Sequence, residues 1–236
     1  MFHKMEPSPH YFGDFCPIET MLMKIDEMYV SVLPHLLPDT NPRLSDDQKR
    51  RDYDNQKIGP PSVLLMDFLR GNRDVRQLCE KVRKIKNIKT RRETVVRLFP
   101  HAIIPVKVWC HDSSLSSERF VKTYNHLIAL EFPIVCEISR IVKILKSKPW
   151  VLYITLSADG ACIIALVPLD NDDYRRHGLF FDALRSEFES HGLTVIEKCG
   201  NLTAMMAQTY DSDAWFNGSC VLFNLPRNFT GYGKEG

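Results

Sequence analysis

The stretch VLYITLSADGACIIALVPL, residues 151–169, decides the fold, because two apolar runs rich in β-branched residues flank a short polar segment. Residues 151–155 have the composition of a buried strand, and residues 163–169 supply a returning strand. Between them, Asp159-Gly160 is a strong signal for a tight hairpin turn. The pattern predicts a central β-hairpin whose turn is open to a ligand.

The segments around this hairpin predict an α+β fold. A long helix is expected over residues 172–192, and residues 192–217 have the pattern of a strand, a turn, a second strand and a corner rich in Asp and Asn. On the N-terminal side, Ser62 is a candidate N-cap of a helix that Gly71 ends, and a second helix follows over residues 74–89. Strands are expected within residues 101–110 and 124–133, and a further helix over residues 138–145.

Length and composition bound the number of domains. With 236 residues, of which 44% are apolar, the chain can bury one substantial core. We expect an irregular N-terminal arm and exposed charged loop over residues 1–60, a single folded domain over residues 61–225 and a tail over residues 226–236. The sequence shows no basic-then-apolar leader and no apolar run of membrane-spanning length, so we expect a cytoplasmic protein with no membrane partner.

The net charge of +2 lacks the strong overall basicity of a general nucleic-acid-binding protein, so any basic surface has to be local. Two helical segments are locally basic, within residues 76–92 and 140–148, and a Ser-rich loop between them ends in Arg119. Such clusters fit either a phosphate-backbone track or the solvated faces of amphipathic helices, and the sequence leaves both open. The candidate nucleic-acid contacts are Arg76, Arg83, Lys84, Lys86, Arg91, Arg92, Arg119, Lys143 and Lys146.

The order of these elements resembles that of a known family. A helical lead with a basic second helix is followed by an apolar strand with Pro, a Ser-rich turn with Arg, a strand that ends in a carboxylate, a hairpin on Ser-x-x-Gly, and a Tyr-Asp corner that ends in Asn. Over about residues 60–225 this order resembles the VirE N-terminal domain family, a branch of the primase-polymerase group found in bacterial mobile elements and phages. The resemblance implies a split, RRM-like core with an antiparallel or mixed sheet and helices packed on it.

The carboxylate positions of the family are only partly matched. The family's Asp-x-Asp strand end, which the resemblance assigns to metal binding, falls on Glu131 and Pro133, and proline cannot bind a metal ion. A later Ile-Asp strand end falls on Glu197, and the Arg expected after it falls on Ala204. Glu131 and Glu197 are therefore the candidate metal ligands, and the alternative is that both are solvated strand ends.

The hairpin and corner positions of the family are also altered. Ser157 and Gly160 match the family's Ser-x-Ser-Gly-x-Gly-Leu-Lys hairpin, but the cation suited to a triphosphate is replaced by Ile164. The acidic residue of the Ser-Tyr-Asp corner is retained as Asp211. Nucleotidyl transfer needs two metal ions held by close carboxylates and a cation against the triphosphate. The positions of a degenerate site are thus Glu131, Ser157, Gly160, Glu197 and Asp211.

These departures predict a catalytically degenerate primase-polymerase-like domain, rather than an active enzyme, that binds nucleic acid or assists a replication or mobile-element complex. Its expected partners are single-stranded or primed DNA and a replication or helicase-like protein. No cofactor is expected, except Mg²⁺ or Mn²⁺ if activity is retained. Two alternatives stay open: a metal-dependent primase or nucleotidyltransferase with an altered site, and a protein-interaction scaffold without a nucleic-acid role.

Overall fold

The computed structural model describes residues 27–33, 61–108, 121–227 and 229 of the chain. The combination of helices with antiparallel sheets confirms the predicted α+β class. Among the described residues, none of the helices has both the length and the apolarity that a membrane span requires. In chain order the elements are β1 (Tyr29–Leu33), β2 (Ser62–Leu64), α1 (Leu65–Arg70), α2 (Arg73–Arg83), α3 (Ile88–Leu98), β3 (His101–Ile103), β4 (Val106–Val108), β5 (Val121–Tyr124), β6 (Leu127–Pro133), α4 (Ile138–Lys146), β7 (Tyr153–Leu156), β8 (Cys162–Pro168), a 3-10 helix (Tyr174–Arg176), α5 (His177–Ser190), a second 3-10 helix (Glu197–Gly200), β9 (Met205–Ala207) and β10 (Trp215–Phe216).

The main sheet has the strand order β10–β7–β8–β6, and each neighbouring pair is antiparallel. The predicted hairpin is confirmed, since β7 pairs with β8 from Tyr153 opposite Leu166 to Leu156 opposite Ile163. On its other side β8 pairs with β6 along the whole length of both strands. Because β6 and β7 both run antiparallel to β8, they are parallel to each other, and α4 connects them.

Each face of the main sheet is covered by a different layer. On one face, α4 and α5 contribute Leu145, Phe180 and Phe188 to a core cluster. On the other face lies the second sheet, with strand order β2–β1–β3–β9, whose Val30 and Ala102 pack with residues of the main sheet. All residues of β8 are buried. A strand that is covered on both faces is apolar throughout instead of alternating, and the sequence CIIALVP of β8 follows this rule.

The strand predicted from residue 192 onward is wrong. Residues 193–196 follow the outer edge of β6, where the amide of Ile196 donates to the carbonyl of Glu131 at 3.0 Å, and a 3-10 helix then begins at Glu197. Leu193 and Val195 are buried in the cluster around α4 and α5. Their alternation therefore reflects packing beneath α5 rather than a ladder of strand hydrogen bonds.

The first predicted helix needs one correction. Ser62 is not an N-cap, because it begins β2, and α1 starts only at Leu65 without a side-chain cap. The predicted end is confirmed, since Gly71 follows α1 with a φ of 61°. A residue in this left-handed conformation is strained unless it is glycine. The sequence signal for the end of the helix was therefore stronger than the signal for its start.

Two predicted elements are each divided in the structure. α2 ends at Arg83, and α3 starts after Asn87, whose side-chain oxygen accepts a hydrogen bond from the amide of Thr90. The described part of the apolar run at residues 101–110 contains two short strands in different sheets, β3 and β4, separated at Pro105. Proline lacks the amide hydrogen that a strand ladder needs. In both places a local residue interrupts a longer periodic pattern.

A buried polar network lies where α5 begins. The Oη of Tyr124 lies 3.1 Å from Nδ1 of His177, and the side-chain amide of Asn171 donates to the same Oη at 3.1 Å. Nε2 of His177 is buried and has no hydrogen-bond partner among the described residues. Burial disfavours the imidazolium and lowers the pKa of His177 to about 4, and burial also raises the pKa of Tyr124 to about 12.

The buried His177 predicts a loss of stability in acid. Because its pKa in the folded protein lies below its ordinary value, the unfolded chain binds the proton more tightly. The free energy of unfolding therefore falls by about 3 kcal/mol as the pH drops from about 6.5 to about 4. Urea unfolding across this pH range measures the fall. The fall in the free energy of unfolding should be smaller by about 3 kcal/mol in His177→Gln. It should be unchanged in the control His191→Asn, since His191 is exposed. If the pH dependence of His177→Gln matches that of the wild type, His177 does not cause the loss of stability.

Candidate functional site

The turn between β7 and β8 is closed by its own polar side chains. The hydroxyl of Ser157 accepts hydrogen bonds from the amides of Ala161 and Cys162 at 3.1 and 3.0 Å, and it donates to Oδ1 of Asp159 at 2.6 Å. Gly160 adopts a φ of 70°, a conformation that favours glycine. Ser157 and Gly160, two of the predicted site positions, thus build the turn itself.

Three arginines of α2 and α3 cover this turn, and we call Arg83, Arg91 and Arg92 the arginine clamp. Arg83 Nη2 donates to the carbonyls of Ser157 at 2.9 Å and Leu156 at 3.3 Å. Arg91 Nη1 donates to the carbonyl of Asp159 at 2.8 Å, and Arg92 Nε lies 3.8 Å from a carboxylate oxygen of Asp159. The turn is therefore covered by two helices, which corrects the expectation of a turn open to a ligand.

The corner at residues 209–211 is fastened to the same end of β7. The hydroxyl of Thr209 donates to the carbonyl of Leu156 at 2.8 Å, and it lies 3.2 Å from Arg83 Nη2. Oδ2 of Asp211 accepts a hydrogen bond from the amide of Leu156 at 2.8 Å, while its Oδ1 accepts one from the amide of Asp213 at 3.0 Å. Both oxygens of Asp211 thus hold backbone in place.

Glu131 is engaged by a neighbouring cation. It lies within β6 opposite Ile164, and its Oε2 is 2.9 Å from Nζ of Lys198 in the second 3-10 helix. Burial alone would lower the pKa of Lys198, but the Glu131 carboxylate and its hydrogen bond raise it above its ordinary value. The Lys198 ammonium therefore forms an ion pair with the carboxylate that the sequence predicts as a metal ligand.

Ile164 stands where the resemblance places the cation that would contact a triphosphate. Its side chain is 3% exposed and belongs to the core cluster between the main sheet and the second sheet, together with Leu127 and Leu166. A charged side chain at this position would have to be buried without water, at a cost of several kcal/mol unless it were paired. The fold around Ile164 thus accommodates an apolar side chain and not a phosphate-binding cation.

Two buried cysteines lie near Glu131. Burial, followed by the negative charges of Glu131 and Asp159, raises the pKa of Cys162 to about 11. Burial, followed by the charge of Glu131, raises the pKa of Cys199 to about 12. Because only the thiolate is a nucleophile and metal ligand, these thiols are inert near neutral pH.

The two candidate metal ligands have different surroundings. Glu197 is exposed at the first position of the second 3-10 helix, next to Ile196, which bonds to the backbone of Glu131. Yet it is Lys198, and not a metal-ligating group, that meets the Glu131 carboxylate. Among the described residues no group of three or more His, Cys, Asp or Glu side chains is arranged to hold a metal ion. With the Glu131 carboxylate paired to Lys198 and a proline at position 133, this strand end does not fit the pair of metal ions that the resemblance implies.

The predicted nucleic-acid contacts fall into two groups. Outside the arginine clamp, Arg76 pairs with Glu80 at 3.1 Å, and its guanidinium lies 5.0 Å from the ring centroid of Tyr210. Lys146 Nζ lies 5.5 Å from the ring centroid of Trp215. Arg119 lies outside the described residues. Among these predicted contacts, the exposed lysines Lys84, Lys86, Lys143 and Lys146 form no ion pair with a carboxylate of the described residues.

Two long-range contacts of the candidate site were not predicted from the sequence. The clamp joins Arg83 to Ser157 across 74 positions of the chain, and the ion pair joins Lys198 to Glu131. Both are long-range contacts, and neither leaves a periodic or spaced pattern in the sequence. Only the position of α2 beside the turn had a sequence signal, namely the apolar face of α2, which packs Val82 against Ala158 of the turn.

Comparison of the chain with protein-family models, with curated proteins and with solved structures gives no match.

Glycine at position 160 is expected to stabilise the covered turn. In Gly160→Ala the new side chain keeps a left-handed backbone and its Cβ meets Arg83 Cγ at 3.2 Å, so the free energy of unfolding should fall by about 1–2 kcal/mol. Gly218→Ala is the matched control, because nothing lies within 4 Å of a Cβ there, and it should change stability by less than about 0.5 kcal/mol. Urea unfolding compares the two variants. Equal effects would show that the turn conformation has no special cost.

Proposed function

We propose that this chain is a catalytically degenerate primase-polymerase-like domain of the VirE N-terminal type, which binds nucleic acid through exposed lysines. The arrangement β6–α4–β7–β8–α5, followed by residues 193–196 beside β6, agrees with the split RRM-like core that the resemblance implies. The cytoplasmic location and a replication or helicase-like partner stay predictions from the sequence.

The observation that carries the degenerate assignment is the pairing of Glu131 with Lys198 beside a buried Ile164. Two-metal phosphoryl transfer depends on closely placed carboxylates that are free to bridge the ions. Here one carboxylate is held by an ammonium group at 2.9 Å, the second is Pro133, and the phosphate-binding cation is a core residue. The chain thus keeps the expected scaffold without the groups that perform the transfer.

Nucleic-acid binding is supported by the distribution of the remaining cations. The exposed lysines Lys84 and Lys86 follow α2, and Lys143 lies on α4. Lysines without a carboxylate partner can neutralise phosphates and release condensed counterions. A near-neutral chain that exposes such lysines is suited to modest, salt-sensitive binding of the phosphate backbone.

A protein-interaction role is the second candidate, and one observation favours it. Val135 is 80% exposed and Ile138 is 44% exposed, at the loop that leads into α4. The two residues are three positions apart in the chain, and clustered exposed apolar side chains are often part of a protein interface. The replication or helicase-like partner expected from the resemblance would use this surface.

Salt-dependent binding of single-stranded DNA tests the proposal. Fluorescence anisotropy of a labelled oligonucleotide should show saturable binding. The logarithm of the association constant should fall with the logarithm of the salt concentration with a slope of about −2 to −3, because few phosphates are contacted. Mg²⁺ or Mn²⁺ should add no affinity beyond the effect of ionic strength. Glu131→Gln is the control, and it should leave the affinity unchanged. The absence of binding at low salt would overturn the nucleic-acid role and leave the protein-interaction candidate.

A primer-extension assay separates the degenerate domain from the enzyme. With a primed template, nucleoside triphosphates and Mn²⁺, no extension product is expected, because the Glu131 carboxylate is paired and Ile164 cannot contact a triphosphate. An extension product that Glu131→Gln abolishes would establish the metal-dependent nucleotidyltransferase instead. The same two proteins serve the binding and the extension assays, so a folding defect would be visible in both.

A further inference from the structure

The corner formed by the C-terminal end of α4 and the edge strand β10 combines positive charge with exposed aromatic surface. We call this the α4–β10 corner and define it by Lys143, Lys146, Trp215 and Phe216. Lys143 and Lys146 are three positions apart and therefore lie on one side of α4. Lys146 Nζ lies 5.5 Å from the ring centroid of Trp215. The Lys146 ammonium therefore lies near the half-buried ring of Trp215.

Phe216 presents an aromatic ring that the fold does not bury. Its side chain is 42% exposed, and β10 is the edge strand of the main sheet, paired only on the side of β7 within the described residues. Trp215 packs against the core on the α4 side, whereas Phe216 lies opposite Tyr153. Since successive strand residues face opposite sides, the cation and the exposed ring lie on the two sides of one edge.

The backbone of this corner is held in place before any ligand binds. The amide of Asn217 donates to the carbonyl of Leu152 at 2.8 Å, and its side-chain amide donates to the carbonyls of Pro149 and Val151 at 3.3 and 3.2 Å. Beyond it, Gly218 has no atom within 4 Å of where a Cβ would stand. The backbone on the C-terminal side of Phe216 is therefore fixed, while its ring is 42% exposed.

On the basic surface formed by α2 and α3, several cations are already bound to other groups of the protein. Arg83 and Arg91 donate to carbonyls of the turn, and Arg92 lies near Asp159. On α2, Arg76 pairs with Glu80. Exposed cations without an ion pair, such as Lys84 and Arg73, are also present there, but the nearby ring of Tyr210 is half-buried and already contacted by Arg76. That surface can attract phosphate but offers no free ring for a base.

We propose that the α4–β10 corner is the binding site for single-stranded nucleic acid. Lys143 and Lys146 contact the phosphate backbone of the strand, and a base stacks on the ring of Phe216. The inference rests on the proposed nucleic-acid function and assigns it to one surface and one ligand class. Aromatic rings bind unpaired bases with little sequence preference, whereas the bases of a duplex are already stacked on each other. The corner therefore selects single strands over duplexes.

Anisotropy with an oligothymidine of about 20 nucleotides tests the site. Phe216→Ala should raise the Kd for the single strand about 10-fold and leave the Kd for a duplex of the same length unchanged. The double variant Lys143→Ala, Lys146→Ala should reduce the magnitude of the salt slope by about 1 to 1.5, as expected for two phosphate contacts on a single strand. The matched control Lys84→Ala, Lys86→Ala should change the single-strand affinity by less than about 2-fold.

Tryptophan fluorescence supplies a second readout that does not depend on affinity. The oligothymidine should quench the emission of the wild-type chain, and Trp215→Phe should lose most of this quenching at oligonucleotide concentrations that saturate the anisotropy signal. Phe216 is exposed, so thermal unfolding of Phe216→Ala should match that of the wild type and separate a binding effect from a folding defect.

The outcomes distinguish the two proposals. If the wild-type chain fails to bind, the nucleic-acid function is overturned. If it binds and Phe216→Ala binds equally well, or the Lys84 and Lys86 control loses more affinity than the corner variants, only the assignment to the α4–β10 corner is overturned. If Phe216→Ala loses the same affinity for the single strand and for the duplex, the stacking role of Phe216 is overturned.

Discussion

The burial of β8 on both faces is the constraint on which the rest of the structure depends. Helices α4 and α5 cover one side of this strand and the second sheet covers the other, so every residue from Cys162 to Pro168 is apolar and buried. A lysine at position 164 would be placed between two packed sheets, where a charge without a partner is costly. The tight contact between the two sheets therefore explains why position 164 carries an apolar side chain.

Charged groups are consequently displaced to the rim of the main sheet, where they bind each other or the backbone. Glu131 lies on the edge strand β6 and pairs with Lys198, and the turn of the hairpin accepts hydrogen bonds from Arg83 and Arg91. A partly buried carboxylate needs such a partner, because an unpaired one loses its hydration without compensation. At this rim the cations that a catalytic site would direct at a substrate stabilise the protein itself.

The sequence predicted the features that local patterns specify. The hairpin, α4, the long helix and the end of α1 at Gly71 follow from apolar periodicity and turn residues close together in the chain. The break at Asn87 and the absent strand after residue 192 were missed, because a cap or a packing contact outweighed the periodic pattern. For the candidate site, the sequence singled out Ser157 and Asp211 but did not predict the contacts that they make. Their roles depend on contacts such as Arg83 with Ser157, which only the folded chain brings together.

The different hydrogen bonding of arginine and lysine explains why a count of basic residues overstates the positive charge that the described surface leaves unpaired. A guanidinium is planar and offers several donors, so Arg83 can serve the carbonyls of Leu156 and Ser157 at once and is drawn into the fold. A lysine ammonium is compact and strongly hydrated, so Lys84 and Lys143 stay in water. In this chain Arg83 and Arg91 therefore contribute mainly to stability. The exposed lysines, together with the one exposed ring of the main-sheet edge that the structure describes, are the groups that the proposed recognition of nucleic acid would use.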